Sequence, residues 1–417
     1  MSTPPQVSDP SEDWAASGVV TLTGRPDGPP LVPPGRAATV ARELGAHLAM
    51  LTAGFEHPVR VDGARLLSER AAFTGGSRAG ARSVGGSCRL LPTANGWAAV
   101  SLARPDDVAL VGALVGGGLM DDPWQAVAAW LSGHTNDDLA EGVELLGLPA
   151  SPVPTTVPRS APPTALGPRS VAGLRVVDFS ALWAGPLCSH LLGSAGADVI
   201  KVETPQRPDG ARRGNPDFYR LLHGGHRSVV LDPATTSGRR ALAALVEAAD
   251  IVVEASRPRA LARWGLDAQA SVGAGKTWIS ITAAGRGSDR VGFGDDVAAG
   301  AGLVALDADE TPVFCGDALA DPLTGLTAAA LALTAPDDGS GVLWDVAMAD
   351  VVAATLPSEP LRASPTSARR SRAGWVVETE EGEVPVALPR ARAATGTAPA
   401  PGAHTAEVLA ELGIPLP

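Results

Sequence analysis

The sequence predicts an α/β protein: a Rossmann-like, doubly wound parallel sheet in the second half of its 417 residues, with a smaller α+β unit in front. Three observations predict this. Short β-branched runs alternate with helical stretches after residue 171, a Pro-rich segment divides the chain near residue 160, and the first half mixes helical patterns with one hairpin signal.

In the first half, helical patterns cover 36–53 and 123–132. Between them, CRLLPTANGWAAVSL (88–102) is strand-like and carries Asn95-Gly96, a tight-turn pair that predicts a hairpin. The segment PASPVPTTVPRSAPPTALGP (149–168) is too rich in Pro, Ser and Thr to bury a core and predicts an extended linker. The expected division is therefore 1–148, a linker at 149–170, and 171–417.

Beyond the linker, LRVVDFS (174–180), DVIKVE (198–203), RSVVLD (227–232), IVVEAS (251–256) and WISITA (278–283) read as strands. Helices are expected at 185–195 and 237–249, the second with Leu242, Leu245 and Val246 on one side. Continuous apolar runs separated by helices are what a parallel sheet covered on both faces requires.

Composition narrows the function. A formal charge of −12 argues against non-specific nucleic-acid binding, which needs a basic surface. Local charge differs: between Lys201 and Arg263 eleven cations face seven anions, a surplus of four that suits an anionic small ligand. Cys88, Cys188 and Cys315 are far apart without a CxxC pair, which predicts neither a disulfide framework nor a metal site. The first residues, MSTPPQVSDPSEDW, lack a basic segment followed by an apolar one, and no apolar run reaches membrane-spanning length, so a cytoplasmic protein is expected.

Two phosphate-binding patterns are absent. The first strand is followed by SALWAGP instead of GxGxxG, which argues against a dinucleotide cofactor. VGAGKT (272–277) has Ala270 where a P-loop needs its first glycine, and it leads into a strand.

One repeat crosses the linker. Residues 13–52 align without a gap on 295–334, an offset of 282, with identities that include Asp13/Asp295, Gly18/Gly300, Leu44/Leu326 and Thr52/Thr334.

The run LRVVDFSALWAGPLCSHLLGSAGADVIKVE (174–203) resembles the opening of the class III CoA-transferases (CaiB/BaiF type), a family that also contains 2-methylacyl-CoA racemases. HRSVVLDP (226–233), ADIVVEASRPRALARWGL (249–266), ISITAAG (279–285), GVLWDVAMADVVAA (341–354) and GAHTAEVLAELG (402–413) resemble later family segments in family order. Residues 13–52 are similar to the family's middle segment and 85–116 to its small domain, which is shortened between 354 and 403. The resemblance thus implies a rearranged, two-half chain.

The resemblance implies CoA transfer from an acyl-CoA to a carboxylic acid through an aspartyl anhydride, with CoA as substrate and no permanently bound cofactor. The nucleophile matched by ADPLTGLTAAALAL (320–333) is Asp321, and Pro322 after it makes Asp321 an expected helix N-cap. Asp317 is the rival, and Asp295 stands where the family carries an acidic group near the site. CoA contacts are implied at Trp183 and Ala184, at Leu231, Asp232, Pro233 and Ala234, and at Arg263. Gly85 and Gly86 match a glycine loop that closes over the family's site.

Two departures stand out: Thr204 replaces a basic residue, and Ala255-Ser256 replace Asn-Phe. The racemase alternative needs a His where the chain has Gly294 or Asp295; His190, His223 and His226 lie elsewhere. In the repeat Asp321 falls on Thr39, which cannot form an acyl anhydride. That, with the departures, keeps a non-catalytic partner subunit as a further alternative. The resemblance also implies a homodimer.

Overall fold

The computed structural model describes residues 9–117, 121–161, 163–360 and 367–415. Six parallel strands form its centre: β1 (Arg175–Asp178), β2 (Asp198–Glu203), β3 (Arg227–Val230), β4 (Ile251–Glu254), β5 (Thr277–Thr282) and β6 (Val342–Ala347). They lie in the order β6-β5-β4-β1-β2-β3, so the chain reverses its direction of winding between β1 and β4. A reversal of this kind leaves a crevice at the carboxyl ends of the two central strands.

The sheet is doubly wound because side chains alternate along each strand. Val176, Val199, Ile251 and Val253 join one apolar core, while Val177, Ile200 and Val252 join the other. Both faces being apolar, the strands read as unbroken hydrophobic runs. The expected strands are all present. The sixth, β6, comes from the GVLWDVA segment, whose strand character was not predicted.

Five helices position the site: α1 (Ala37–Leu51), α2 (Ala184–Ser194), α3 (Thr236–Glu247), α4 (Gly294–Gly300) and α5 (Ala320–Ala332). Helix α3 covers one face of the sheet through Ala241, Leu242, Leu245 and Val246. Helix α2 covers the other and is itself covered by α5. Nearly every residue of α5 is buried, because α1, α2, α4 and β6 all pack against it. At the crossing with α2, a Cβ on Gly325 would stand 2.7 Å from the Ala184 carbonyl oxygen and 2.9 Å from Leu187 Cβ, so only glycine permits this approach.

In the first half, Cys88–Thr93, Gly96–Ser101 and Ala150–Pro152 form an antiparallel sheet. Helices Asp107–Leu114, Pro123–Ser132 and Asn136–Leu146 cover it over Ala98, Val100, Val111, Leu131 and Leu139. The expected hairpin is present, but Thr93 pairs with Gly96, so its turn is Ala94-Asn95, one residue early. The Asn95 side chain accepts the Asn136 N–H at 2.8 Å, which fixes that geometry. The other face of this sheet meets α4: Cys88, Leu90, Ala99 and Val153 share a core with Ala299, Val304 and Phe314.

The Pro-rich segment expected as a linker lies against the rest of the protein. Its start is the third strand of the antiparallel sheet, Val157 is buried, and Gly167–Pro168 pair with Thr334–Ala335. Helix α1 occupies the place in the first copy of the repeat that α5 holds in the second, and the two pack together. Arg25 pairs with Asp307, its counterpart 282 residues on, at 3.3 Å. Among the described residues no helix is long and apolar enough to cross a membrane.

Side chains forced into a closely packed crossing typically cost about 1–3 kcal/mol. The substitution Gly325→Val is expected to destabilise the chain by at least about that much, read as a lower urea midpoint at unchanged slope.

Candidate active site

A cavity of about 440 Å³ opens at the carboxyl ends of the strands, where the sheet reverses its winding. Ala181, Leu182 and Ala184 after β1, Ala255 and Ser256 after β4, Thr282 and Ala283 at the end of β5, and Met348 after β6 line it. Six arginines also line it: Arg207, Arg257, Arg259, Arg263 and Arg290 from the second half and Arg104 from the first. Asp321 is the one carboxylate among the lining residues described.

The loop after β1 is shaped from beneath. Lys201, buried, lies 3.1 Å from Asp209 and 3.8 Å from Asp178, and donates to the Ser180 carbonyl. Asp209 in turn accepts the Leu182 N–H at 3.0 Å, which holds Leu182 in a left-handed conformation with φ 70°. Such backbone strain in a non-glycine residue persists only where its surroundings over-determine it.

Asp321 lies in the first turn of α5. The helix starts at Ala320 with Leu319 in the cap position, so the expected N-cap role is corrected. The preceding turn, with Ala318 at φ 51°, already winds the chain: the Asp321 N–H donates to the Ala318 carbonyl at 2.9 Å. Its side chain is therefore released from capping and faces the cavity. Burial pushes its carboxyl up to about 7; Arg70 opposes this, Asp295 adds to it, the Ala184 N–H opposes it through a hydrogen bond, and Asp317 adds to it.

Gly294 makes room for that carboxyl. A Cβ there would be 2.1 Å from Asp321 Oδ2. Asp295 follows, buried, accepting the Ala318 N–H at 2.9 Å. Burial pushes its carboxyl up to about 6, against the pull of Arg70 and with a further push from Asp317. Asp296 accepts from Ser101 Oγ at 2.7 Å and from the Phe293 N–H at 2.9 Å; burial raises its carboxyl to about 7. The rival Asp317 is buried and pairs bidentately with Arg70, whose Nε donates at 2.8 Å, so it is engaged rather than open to a ligand.

The residues implied as CoA contacts separate into groups. Ala184 and Arg263 line the Asp321 cavity. Trp183 is buried beside it, its ring 5.2 Å from the Arg70 guanidinium carbon and edge-on to Phe218. Leu231, Asp232, Pro233 and Ala234 do not line this cavity. Leu231 is buried, Asp232 accepts the Ala234 N–H at 2.9 Å, and the carbonyls of Pro233 and Ala234 take Arg239 at 2.7 and 3.0 Å. A neighbouring depression of about 450 Å³ contains Thr236, Arg239 and Arg240 and shares Arg263 and Trp264 with the cavity. The second group borders it through Arg239.

The departures acquire a reason. Thr204 Oγ1 accepts the Arg207 N–H at 3.1 Å, and Arg207, three residues on, lines the cavity in place of the expected basic residue. Side chains of Arg207, Arg257 and Arg263 have no hydrogen-bond or ion-pair partner among the described residues. The Arg257 guanidinium is pushed down by burial and then by Arg259 and Arg104. Arg259 and Arg104 are paired with Asp289 and Asp107, so the surplus cations at this place are Arg207, Arg257 and Arg263, and such a surplus suits an anion.

Sequence reasoning missed Arg70, Arg104, Arg290 and the requirement for glycine at 294. Arg104 pairs with buried Asp107 at 2.6 Å, and Arg290 donates to Ser151 Oγ at 2.8 Å. Arg70 and Arg290 have no local signature, since Asp317 and Ser151 are supplied by the fold, whereas Asp107 lies only three residues beyond Arg104. Gly85, matched to a glycine loop, lies against the Arg70–Asp317 pair: a Cβ there would be 3.2 Å from Arg70 Nη2. The histidines lie outside the cavity. His223 and His226 are buried with ring centroids 5.6 Å apart, and burial pushes both, and His190, down.

Residues 171–386 match a family model described as CoA-transferase family III. The succinate–glutarate CoA-transferase of Agrobacterium fabrum is 30% identical over 229 residues, 49% of this chain and 56% of that enzyme. The succinyl-CoA–D-citramalate CoA-transferase of Chloroflexus aurantiacus is 31% identical over 209 residues, 46% of this chain and 52% of that enzyme. The chain thus spans about half the length of the curated relatives it matches. The crystal structure of a CAIB/BAIF family protein from Brucella suis is similar at 27% identity, covering 51% of this chain and 66% of that one, with a TM-score of 0.43.

A carboxyl raised from 3.8 to about 7 on folding binds protons that the unfolded chain has released, so its contribution to stability falls as pH rises through that window. Asp321→Asn removes this loss. The variant is expected to unfold at higher urea than wild type at pH 8, with the difference closing towards pH 4.

Proposed function

The chain belongs to CoA-transferase family III, and on that premise we propose that it moves CoA from an acyl-CoA to a carboxylic acid acceptor through an anhydride on Asp321. One observation carries the assignment: Asp321 is the only described acid in a cavity lined by six arginines at the carboxyl ends of the sheet.

A carboxylate suits the first step, because it attacks without first losing a proton once ionised. An Asp321 oxygen adds to the thioester carbonyl, the C–S bond breaks, and a mixed anhydride and CoA thiolate result. For CoA to change owner, the thiolate then attacks the aspartyl carbonyl and expels the donor acid. The acceptor carboxylate reverses the two steps and leaves Asp321 free. Half-burial of Asp321 beneath the strand loops limits water, which would otherwise hydrolyse the anhydride. A carboxyl held near 7 is a stronger nucleophile than an ordinary aspartate, at the cost of being only partly ionised at neutral pH.

The unpartnered Arg207, Arg257 and Arg263 are assigned to the phosphates of CoA, for which planar guanidinium forks are suited. The depression beside Arg263 extends that path towards Leu231, Asp232, Pro233 and Ala234. Ala184 lines the cavity and donates to Asp321, Trp183 supports it from the buried side, and Asp295 is the supporting acid. Residues 1–148 are read as the half that completes the site, 149–170 as the connection, and 171–417 as the CoA-binding half. The relatives' names carry short dicarboxylates, and the excess of arginine over acid supports an acceptor with a second negative charge. The racemase reading loses support because no imidazole lines the cavity and the Gly294 position has no room for a side chain.

Incubation with succinyl-CoA and hydroxylamine is expected to convert Asp321 to a hydroxamate, found by mass spectrometry of the peptide. Asp321→Asn is expected to lose transfer roughly a thousandfold or more. Absence of hydroxamate with a panel of acyl-CoAs, together with no heat of CoA binding, would leave a non-catalytic partner as the reading. Separately, Arg263→Ala is expected to weaken CoA binding roughly tenfold to a hundredfold, with a shallower salt dependence by calorimetry.

A further inference from the structure

Resting on the reading of Asp321 as nucleophile, we propose that Arg70, supplied by the first half of the chain, is the positioning residue that opposes protonation of Asp321 and so keeps a share of it in its anionic, reactive form. Nothing in the sequence marks Arg70, and it lies outside the matched segment 171–386.

The geometry fixes its guanidinium firmly. Nε and Nη2 pair with the two oxygens of Asp317, the Trp183 ring lies 5.2 Å from its central carbon, and Gly85 leaves space for Nη2. Asp317 is buried and sits at the start of the turn that carries Ala318 and then Asp321. Trp183 immediately precedes Ala184, whose N–H reaches the Asp321 carboxyl. Arg70 thus grips both strands of the cradle around Asp321 while being contributed by neither.

The charges around Asp321 explain why a cation is needed. Asp295 comes from α4, Asp317 from the turn before α5, and Arg70 from the short helix Glu69–Thr74. Three acids therefore share one internal cation, and like charges in a buried site push carboxyls towards the protonated, unreactive form. The neighbouring Glu69 is paired elsewhere, with Arg392 at 2.7 Å. Burial works against the charge of Arg70, yet Asp317, then Asp295 and Asp321, keep it fully protonated. Six further arginines line the same cavity as Asp321. They stay constant across the variants below and cancel in the comparison.

The test follows the Asp321 carboxyl directly by infrared difference spectra between each protein and the same protein carrying Asp321→Asn, titrated from pH 5 to 9. Arg70→Gln is expected to raise the Asp321 midpoint by about one pH unit or more. Arg70→Lys is expected to restore most of the change. In parallel, transfer by Arg70→Gln is expected to fall about tenfold at pH 7 and to recover as pH rises. An unmoved midpoint would overturn the proposal, as would activity lost equally at every pH, since a merely structural residue acts that way.

If Arg70→Gln does not fold, Arg70→Gln with Asp317→Asn removes the buried pair together and is read against Asp317→Asn alone. Its midpoint must still lie higher. A midpoint that moves in a protein without transfer activity sustains the role of Arg70 and sinks the nucleophile reading instead.

Discussion

Helix α5 has no free face, and the site follows from that. It is pressed on α2 at Gly325, on α1, on α4 and on β6, so its first turn cannot swing or shift. Asp321 projects from that turn to the one place where packing stops, the crevice at the strand ends. Rigid elements place reactive groups more accurately than loops do. Gly294 and Gly325 are the two positions where a single methyl group would move the carboxyl or the helix that bears it.

Close packing also explains the electrostatics. Asp295, Asp317 and Asp321 are brought near one another, in a setting where burial favours the protonated forms of Asp295 and Asp321. The fold answers by inserting Arg70 from the other half of the chain. The cavity itself is strongly cationic although the chain carries −12 overall. Ligand selection therefore depends on local potential rather than on net charge. The acid cluster is electrostatically incomplete within its own half: Asp295, Asp317 and Asp321 lie on one side, while Arg70 comes from the other.

The sheet was legible because its strands are buried on both faces, which forces β-branched runs such as IVVE and WISIT into the sequence. The hairpin was legible from Asn95-Gly96, but its register depended on a hydrogen bond to Asn136, 41 residues away. The start of α5 was misjudged by one residue's role: Pro322 invites an N-cap at Asp321, whereas the left-handed Ala318 begins the winding sooner. Asp321 and Arg263 were found through resemblance to a family. Arg70 and Arg290 were out of reach, because each acquires meaning from a partner 247 or 139 residues distant. Thr204 looked like a lost contact until its hydroxyl was seen to hold the backbone of Arg207.

The repeat shows why the chain has a single candidate nucleophile. Helices α1 and α5 occupy equivalent places in the two copies and pack on each other, so the shared pattern preserves a core. The chemistry differs at two acidic positions of the second copy, Asp295 and Asp321. Asp13 is held by Arg42 at 2.8 Å, whereas its counterpart Asp295 accepts a backbone N–H beside Asp321. Thr39 is buried and its hydroxyl has no hydrogen-bond partner among the described residues. A second nucleophile at position 39 would have no crevice to face, since among the described residues the parallel sheet that opens one occurs once. The sequence similarity of the copies therefore reports packing, while reactivity is confined to the copy whose helix meets the strand ends.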